Sequence, residues 1–317
     1  MNIKKLIKYI LPLLGVALFI FIIFFVIDIK LFIKTIKDVN SIYFIPVFLL
    51  TFPLVFLKAW RWKFLMEKQD INYSIYSSFS MYAVGLFLSL ATPGKIGEAV
   101  KLFYLNQDNH QIKPSLVTII SDRLVDLIFL IIITFAGLLI FIQYFYQEFI
   151  YLAGLLISGM LFLYLIIKTK LYKKIILYIV PAKYHELFIN NSKEFIDYFR
   201  KYGLKDFIFA LFLTFLSWMI YMSQIYLLGL SLGLKLKLLM AIPMIAIANF
   251  ADLLPISING IGTRETIFIF FFANSGMPAE KAAALGILQL LIILSIAIVG
   301  FIYWIKKPIK FNFQKNG

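Results

Sequence analysis

The sequence LPISINGIGTRE, residues 254–265, interrupts a strongly apolar region with proline, glycine and charged residues. Proline removes a backbone donor and glycine frees the backbone, so Pro255 and the two glycines predict a break in a helix. Arg264 and Glu265 follow at once and place charge beside the break. Because broken backbone at membrane depth survives only inside protein or beside water, we expect a discontinuous helix or a re-entrant hairpin. The alternative is an ordinary interfacial loop.

A second stretch, ATPGKIGE at residues 91–98, has the same character. It is also interrupted by proline and glycine, and matching residues of the two stretches are 162 to 167 positions apart. Paired interrupted segments in opposite orientation are typical of a transporter site near the middle of the bilayer. The residues predicted to break the two helices are Pro93, Gly94, Gly97, Pro255, Gly260 and Gly262.

The rest of the chain is apolar enough to need lipid around it. Of its 317 residues, 62% are hydrophobic and 15% are charged, against about 45–50% and about 25% in soluble domains. Apolar runs near the ~20 residues that cross a hydrocarbon core recur along the chain. We predict an all-α, polytopic membrane protein with two short broken pieces, 95–105 and 263–275, and about eight spans at 9–29, 42–60, 74–92, 115–142, 148–167, 206–230, 238–256 and 282–305.

Basic residues are divided unequally between the predicted loops. With a cytoplasmic N-terminus, and with each short piece returning to its side of entry, 22 of the 31 Lys and Arg fall inside and 6 fall outside. This bias follows the positive-inside rule and places both termini in the cytoplasm. The two breaks then open from opposite sides, in an inverted-repeat arrangement. The predicted halves are residues 1–167 and 206–317, joined by a basic amphipathic linker at 168–205.

Ionisable residues inside a membrane are costly, so those beside the breaks are candidates for function. A helix that begins near Thr263 would offer amides and a positive dipole end to an anion. The basic residues predicted to hold a headgroup phosphate are Lys95, Arg123 and Arg264. The acids predicted to balance these charges, or to meet a cationic headgroup, are Glu98, Asp122, Asp126, Asp252 and Glu265.

The predicted helix 115–142 carries three of these charges near its start. Arg123 and Asp126 are three residues apart and can pair, whereas Asp122 and Asp126 repel each other unless a cation lies between them. The alternative to a binding role is therefore a set of salt bridges that hold helices together, both here and around Arg264.

Two further segments combine aromatic and basic residues. Trp60–Lys63 ends the second predicted helix, and such a mixture is typical of the headgroup level, so we interpret it as an interface anchor. The amphipathic stretch 184–202 is predicted to lie on the cytoplasmic surface, or else to form a solvated linker helix. Tyr221, Ser223 and Gln224, inside a predicted span, are expected to hydrogen-bond between helices.

The residue inventory excludes several classes of protein. The chain has no cysteine, which excludes disulfides and thiol nucleophiles. His110 and His185 lie far apart without ligand spacing, so we expect neither a metal site nor a cofactor. Nucleotide and hydrolase motifs are absent from the sequence, so we do not expect an enzyme by itself. The net charge of +15 is explained by loop topology rather than by nucleic-acid binding.

Three motifs in order give the chain a family resemblance. PGKIGE at 93–98, DRLVD at 122–126 and NGIGTRE at 259–265 resemble the transmembrane region of the lysylphosphatidylglycerol synthase/flippase family, over nearly the whole chain. In full-length bacterial relatives this region precedes an aminoacyl-transferase domain, so the resemblance implies the lipid-translocating half. Asp122 stands where glutamate is expected, and Asn259 stands where glycine is common, which leaves the headgroup open.

The resemblance implies a flippase of the inner, cytoplasmic membrane that moves aminoacylated phosphatidylglycerol or a lipid-linked headgroup between leaflets. Its expected partners are membrane lipids, either an anionic phospholipid or a polyprenyl-phosphate-linked lipid, and no nucleic acid. Two alternatives remain open: a membrane subunit of a lysyltransferase or lipid glycosyltransferase system that acts with a separate catalytic protein, and a non-transporting scaffold. A homo-oligomer is also left open.

Overall fold

The computed structural model describes residues 28–90, 95–140, 192–234, 238–252, 259–273 and 278–308, with a few isolated positions besides. Regular structure in this part of the chain is helical throughout, as the predicted all-α class requires. Its elements in chain order are α1 Ile29–Lys37, α2 Ser41–Glu67, α3 Ile75–Ser89, a 3-10 turn Ile96–Ala99, α4 Val100–Gln107, α5 Ile112–Ile140, α6 Ser192–Arg200, α7 Leu204–Ser231, α8 Leu238–Ala251, α9 Thr263–Ala273 and α10 Ala279–Lys306.

Within the described residues, three helices are long and apolar enough to cross a membrane: α2, α7 and α10, with 27, 28 and 28 residues. At 1.5 Å per residue each is about 40 Å long, more than the ~30 Å hydrocarbon core. Each exposes large apolar side chains, of which Ile42, Ile208 and Ile298 are more than half exposed. Such surfaces need lipid to cover them.

Six of the predicted spans coincide with helices, namely α2, α3, α5, α7, α8 and α10. The spans predicted at 9–29 and 148–167 lie largely outside the described residues, so the total number of spans stays a prediction. The short pieces after both breaks are helical as predicted. A helix, α1, occupies part of the predicted loop 30–40, since Asp28 caps it by accepting the amides of Lys30 and Leu31.

Helix α2 passes through Trp60–Lys63 and continues to Glu67. The predicted interface anchor is therefore wrong at its centre, because Arg61 and Trp62 are fully buried. Lys101, which was counted among the cytoplasmic loop charges, is also fully buried, and Lys58 lines an internal cavity. Removing these two lysines and Arg61 from the 22 inner charges leaves 19 against 6, so the bias persists.

The eight helices α2–α5 and α7–α10 pack in matched pairs. Helices α2, α3, α4 and α5 correspond to α7, α8, α9 and α10, in that order. Whenever two of the eight helices pack on each other, their two counterparts also pack on each other. Thus α3 packs on α10 and α8 packs on α5, while α2 and α7 pack on each other. Gly300 permits the α3–α10 contact, because a Cβ there would lie 2.2 Å from the Ala83 carbonyl oxygen. The two sets of four helices therefore share one packing scheme.

Helix α6 is the described part of the predicted amphipathic stretch. It lies on the turns that follow α2 and precede α5. The amide of Gln69 donates to the carbonyl of Tyr198 at 2.8 Å, and Lys113 pairs with Glu194 at 2.5 Å. Lys201, just beyond α6, pairs with Asp70 at 2.8 Å. These contacts tie the linker to the first half of the chain.

Candidate functional site: a cavity between two broken helices

Both interrupted segments open into one internal cavity of about 280 Å³. Its walls come from α2, α3, the 3-10 turn, α5 and α7–α10, so elements from both halves line it. The volume is close to the lower end of ligand pockets, roughly 300 Å³. The polar side chains that line it are Thr51, Lys58, Tyr82, Ser89, Lys95, Glu98, Arg123, Asp126, Ser217, Tyr221, Gln224, Asn249, Asp252, Asn259, Arg264 and Gln289.

At the first break, the backbone of Gly97 lies against the backbone at the end of α3. A Cβ at this position would lie 2.3 Å from the carbonyl carbon of Leu88, so only glycine fits against the end of α3. The Gly97 amide donates to the hydroxyl of Thr92 at 2.7 Å. Lys95 adopts the left-handed conformation, with φ of 56°, which is rare outside glycine. This turn directs the chain so that Lys95 and Glu98 both line the cavity.

The second break follows the end of α8. Gly260 and Gly262 have φ of 79° and 82°, and Asn259 has φ of 50°, so three left-handed residues reverse the chain. A Cβ on Gly260 would lie 2.0 Å from a carboxylate oxygen of Asp252. Each break thus contains a non-glycine residue in the left-handed conformation, Lys95 in the first and Asn259 in the second. In both breaks this residue precedes the charged residues of the next helical segment.

Helix α9 begins at Thr263, as predicted, but its first turn is capped from within. Glu265 accepts a hydrogen bond from the amide of Gly262 at 2.7 Å, so that amide is not free for an external anion as expected. Arg264 pairs with Asp252 at 2.5 Å and donates to the carbonyl of Asn259 at 3.1 Å. Arg264 and Asp252 line the cavity, and Glu265 does not.

A buried cation lies between the two aspartates of α5, as their spacing requires, and it is Arg61. Its Nε donates to Asp122 at 2.9 Å, and its Nη1 donates to Asp126 at 2.6 Å and to Thr214 at 2.6 Å. Arg61 and Asp122 are fully buried. Arg61 therefore ties α2 to α5 and α7, and it holds the helix that carries Arg123 and Asp126 against the cavity.

Lys101 is the second buried cation that the sequence did not reveal. Its ammonium lies 3.3 Å from Asp122 and 3.5 Å from Glu98. It also lies over the rings of Tyr82 and Trp62, at 4.3 and 4.8 Å from their centroids, within the range of a cation–π contact. Glu98 and Asp122 are thereby fixed on either side of one ammonium group.

Arg123 joins this ionic cluster to the cavity. Its guanidinium contacts Glu98 at 2.5 Å and donates to the hydroxyl of Tyr82 at 2.9 Å. The predicted pair with Asp126 is present but longer, at 3.7 Å. About a third of the Arg123 side chain, 31%, remains exposed, so it faces the cavity while its neighbours are buried.

The charges that line the cavity leave a positive excess. Four are basic, Lys58, Lys95, Arg123 and Arg264, and three are acidic, Glu98, Asp126 and Asp252. Each of these acids has a basic partner. Lys95 forms no ion pair with the described residues, and Lys58 reaches Asp126 only at 3.8 Å. The described cavity is therefore suited to an anion.

Neutral polar groups from α7, α8 and α10 also line the cavity. The amides of Asn249 and Gln289 both donate to the hydroxyl of Tyr221, whose ring packs edge-on against Trp218 at 5.4 Å. Gln224 donates to the Val47 carbonyl at 2.9 Å, so it joins α7 to α2 as predicted. The same prediction is wrong for Ser223, whose hydroxyl donates to the Met219 carbonyl of its own helix. The sequence offered no signal for Asn249 and Gln289, which lie singly within apolar helices.

Six of the eight predicted charged residues meet at the cavity. Asp122 and Glu265 do not line it, because the first is enclosed by Arg61 and Lys101 and the second caps α9. Among the residues predicted to break the helices, Gly97 lies in the 3-10 turn and Gly260 and Gly262 lie in the left-handed segment before α9, while Pro93, Gly94 and Pro255 lie outside the described residues. The described part of the chain holds no group of three or more metal-ligating side chains.

Fold and site together define a multi-pass helical membrane protein in which two broken helices line one charged cavity. Comparison with protein families gives the particular group. The chain belongs to the family described as the lysylphosphatidylglycerol synthase TM region, whose match covers residues 12–300.

Three similar proteins are UPF0104 membrane proteins. The chain is 26% identical over 295 residues to a UPF0104 membrane protein of Methanocaldococcus jannaschii, with 87% of each chain covered. It is 23% identical over 281 residues to one of Methanothermobacter thermautotrophicus, covering 81% of this chain and 82% of the relative. A Pyrococcus horikoshii relative is 23% identical over 314 residues, with coverage of 89% and 91%. The comparison with solved structures gives no match.

Proposed function

We propose that this protein is a translocase that moves the headgroup of an anionic lipid between the leaflets of the cell membrane. One observation carries the proposal: two interrupted segments, far apart in sequence, line the same cavity with Lys95 and Glu98 from one and with Asp252 and Arg264 from the other. A cavity of about 280 Å³ suits a headgroup, and the acyl chains would remain in lipid.

Family membership supports a lipid-related role, since the matching family is the membrane region of a phospholipid synthase. The matched packing of α2–α5 and α7–α10 supports a two-fold internal repeat. The loop charge bias would turn the two repeats in opposite directions. Such inverted repeats allow a central site to open to either side as one set of helices rocks against the other.

Binding of the phosphate would fall to Lys95, Lys58 and Arg123. Lys95 and Lys58 are the cavity cations with the weakest internal pairing, so a phosphate oxygen would meet charge that is not already neutralised. Arg123 adds a planar donor suited to phosphate geometry. In this scheme Glu98, Asp126 and Asp252 hold the basic side chains in place.

Transport can be tested in proteoliposomes that contain fluorescently labelled phosphatidylglycerol, with a membrane-impermeant quencher added outside. We expect wild-type protein to expose inner-leaflet label that protein-free liposomes protect. Lys95→Gln should slow this exposure about tenfold, the effect of losing ~1.4 kcal/mol of phosphate stabilisation. The matched control is Lys63→Gln, which removes a partly exposed lysine that pairs with Glu67 and does not line the cavity.

The control should transport at the wild-type rate. If wild-type protein exposes no more label than protein-free liposomes, the translocase proposal is wrong and a scaffold role gains support. If Lys95→Gln and Lys63→Gln slow transport equally, the cavity is not the path.

A further inference from the structure

Five buried polar atoms on side chains that line the cavity have no hydrogen-bond partner among the described residues. Two of them, Oε2 of Glu98 and Nε of Arg123, belong to side chains that form an ion pair with each other. The other three are Oδ1 of Asp252, Nδ2 of Asn259 and Oε1 of Gln289. Their residues are only 1%, 4% and 4% exposed. A buried polar group left unpaired costs free energy, so such groups in a native protein point to an external partner.

These atoms include both donors and acceptors. Asn259 presents a donor, and Asp252 and Gln289 present acceptors. If the oxygen and nitrogen of the Gln289 amide are exchanged, its nitrogen is the unpaired atom instead, and the set still contains both donors and acceptors. A hydroxyl group both donates and accepts, and it can satisfy either kind of atom. An ammonium group only donates, and an alkyl group does neither.

The Arg264–Asp252 ion pair and neutral polar side chains lie around these three residues. We name the set Tyr221, Asn249, Asp252, Asn259 and Gln289 the amide wall. Its single acid, Asp252, already has Arg264 at 2.5 Å. The two other acids of the cavity are paired as well, Glu98 with Arg123 at 2.5 Å and Asp126 with Arg61 at 2.6 Å. A cationic headgroup would therefore meet no carboxylate with unmatched charge.

We propose that the amide wall binds the hydroxyl groups of a neutral, polyhydroxylated headgroup, such as a glycerol, an inositol or a sugar, joined to the phosphate that Lys58, Lys95 and Arg123 hold. This inference rests on the proposed function and narrows its substrate class. The preferred substrate is then an anionic lipid whose headgroup carries hydroxyls, and not one whose headgroup carries an added ammonium group.

Native mass spectrometry of the purified full chain can measure this preference with lipids of identical acyl chains. Phosphatidylglycerol and phosphatidylpropanol form a matched pair, because both carry one phosphodiester charge and only the first has headgroup hydroxyls. We expect phosphatidylglycerol to bind about tenfold tighter, the effect of one or two hydrogen bonds. Binding of phosphatidylinositol and of a glycosyl phosphoprenol, compared with phosphatidylglycerol, shows whether an inositol or a sugar is preferred to glycerol. Binding of lysylphosphatidylglycerol tests a cationic headgroup.

Gln289→Leu should reduce the preference to less than threefold and leave phosphatidylpropanol binding unchanged. Tyr221→Phe, which keeps the aromatic packing, is a second variant with the same expected direction. The control Ser223→Ala changes an exposed hydroxyl on α7 that bonds only its own helix, at Met219, and should retain the preference.

The inference is overturned if lysylphosphatidylglycerol binds tighter than phosphatidylglycerol, or if Gln289→Leu and Tyr221→Phe both keep the full hydroxyl preference. Binding is measured here without transport. A protein that moves lipid without hydroxyl preference therefore contradicts this inference alone, and one that binds with preference but moves no lipid contradicts the proposed translocase alone.

Discussion

The two breaks border the same cavity but are held by different interactions. Around the first, Glu98 and Asp122 each contact more than one cation, drawn from α2, α4 and α5. Around the second, Arg264 and Asp252 form a single ion pair among amides and hydroxyls. Under the proposed function, the braced region with its ionic network would face the phosphate, and the amide wall around the single ion pair would face the rest of the headgroup.

The largest effect is expected at the centre of the braced region. Arg61→Leu removes the cation that bridges Asp122 and Asp126 and leaves two carboxylates without their shortest contacts. We expect a loss of about 3–5 kcal/mol of stability, as is found when one partner of a buried ion pair is removed. The measurement is thermal or denaturant unfolding of the purified protein in detergent.

The matched control for this variant is Arg200→Leu on α6. That side chain is 76% exposed and pairs with Asp197 at 3.4 Å, so its loss should change stability by no more than about 1 kcal/mol. Equal destabilisation by the two variants would show that the buried cluster does not brace the fold.

A direct comparison of the two breaks comes from their cavity-lining arginines. Arg264→Gln leaves Asp252 without a basic partner among the described residues, and we expect a loss of about 2–4 kcal/mol. After Arg123→Gln, Glu98 keeps Lys101 at 3.5 Å and Asp122 keeps Arg61, so the expected loss is about 1 kcal/mol. Unfolding curves of the two variants measure these losses of stability. A larger loss for Arg123→Gln than for Arg264→Gln would contradict the view that the ionic network tolerates the loss of one member better than the single ion pair does.

Helix breaks and their adjacent charges were predictable because proline, glycine and charge are local signals in an apolar chain. Arg61 and Lys101 were not, because aromatic and basic residues near a helix end look alike whether they face lipid headgroups or the interior. The partners of Arg61, Asp122 and Asp126, lie 61 and 65 positions away from it, a separation that only tertiary packing closes. The repulsion between the two aspartates did predict a cation between them, though not its identity.

The amide wall was hidden for a related reason. Tyr221 was predicted to bond between helices, which it does, but a lone Asn249 or Gln289 in an apolar helix carries no positional signal. Only the packing of α7, α8 and α10 brings these three side chains together. Such residues join the site through the fold and not through a motif.

A smaller effect should come from the glycines that shape each break. In Gly97→Ala the new Cβ meets the backbone of Leu88, and in Gly260→Ala it meets the side chains of Asp252 and Arg264. Each should destabilise the protein by about 1–3 kcal/mol, as overpacking does. Gly154→Ala is the control, since no described residue lies within 4 Å of a Cβ there. If all three variants have the same stability, the close backbone contacts at the breaks do not require glycine.

The central claim is that one cavity, bordered by both breaks, is reached from each side of the membrane. The chain has no cysteine, so Ser89→Cys places a single thiol in the cavity wall at the end of α3, and Ser74→Cys places one at the exposed start of the same helix. Both variants can be reacted, in oriented vesicles, with a small membrane-impermeant thiol reagent added to either side. The account predicts that Ser89→Cys reacts from both sides, more slowly when phosphatidylglycerol is present, while Ser74→Cys reacts from one side only. Reaction of Ser89→Cys from a single side, unaffected by lipid, would contradict it.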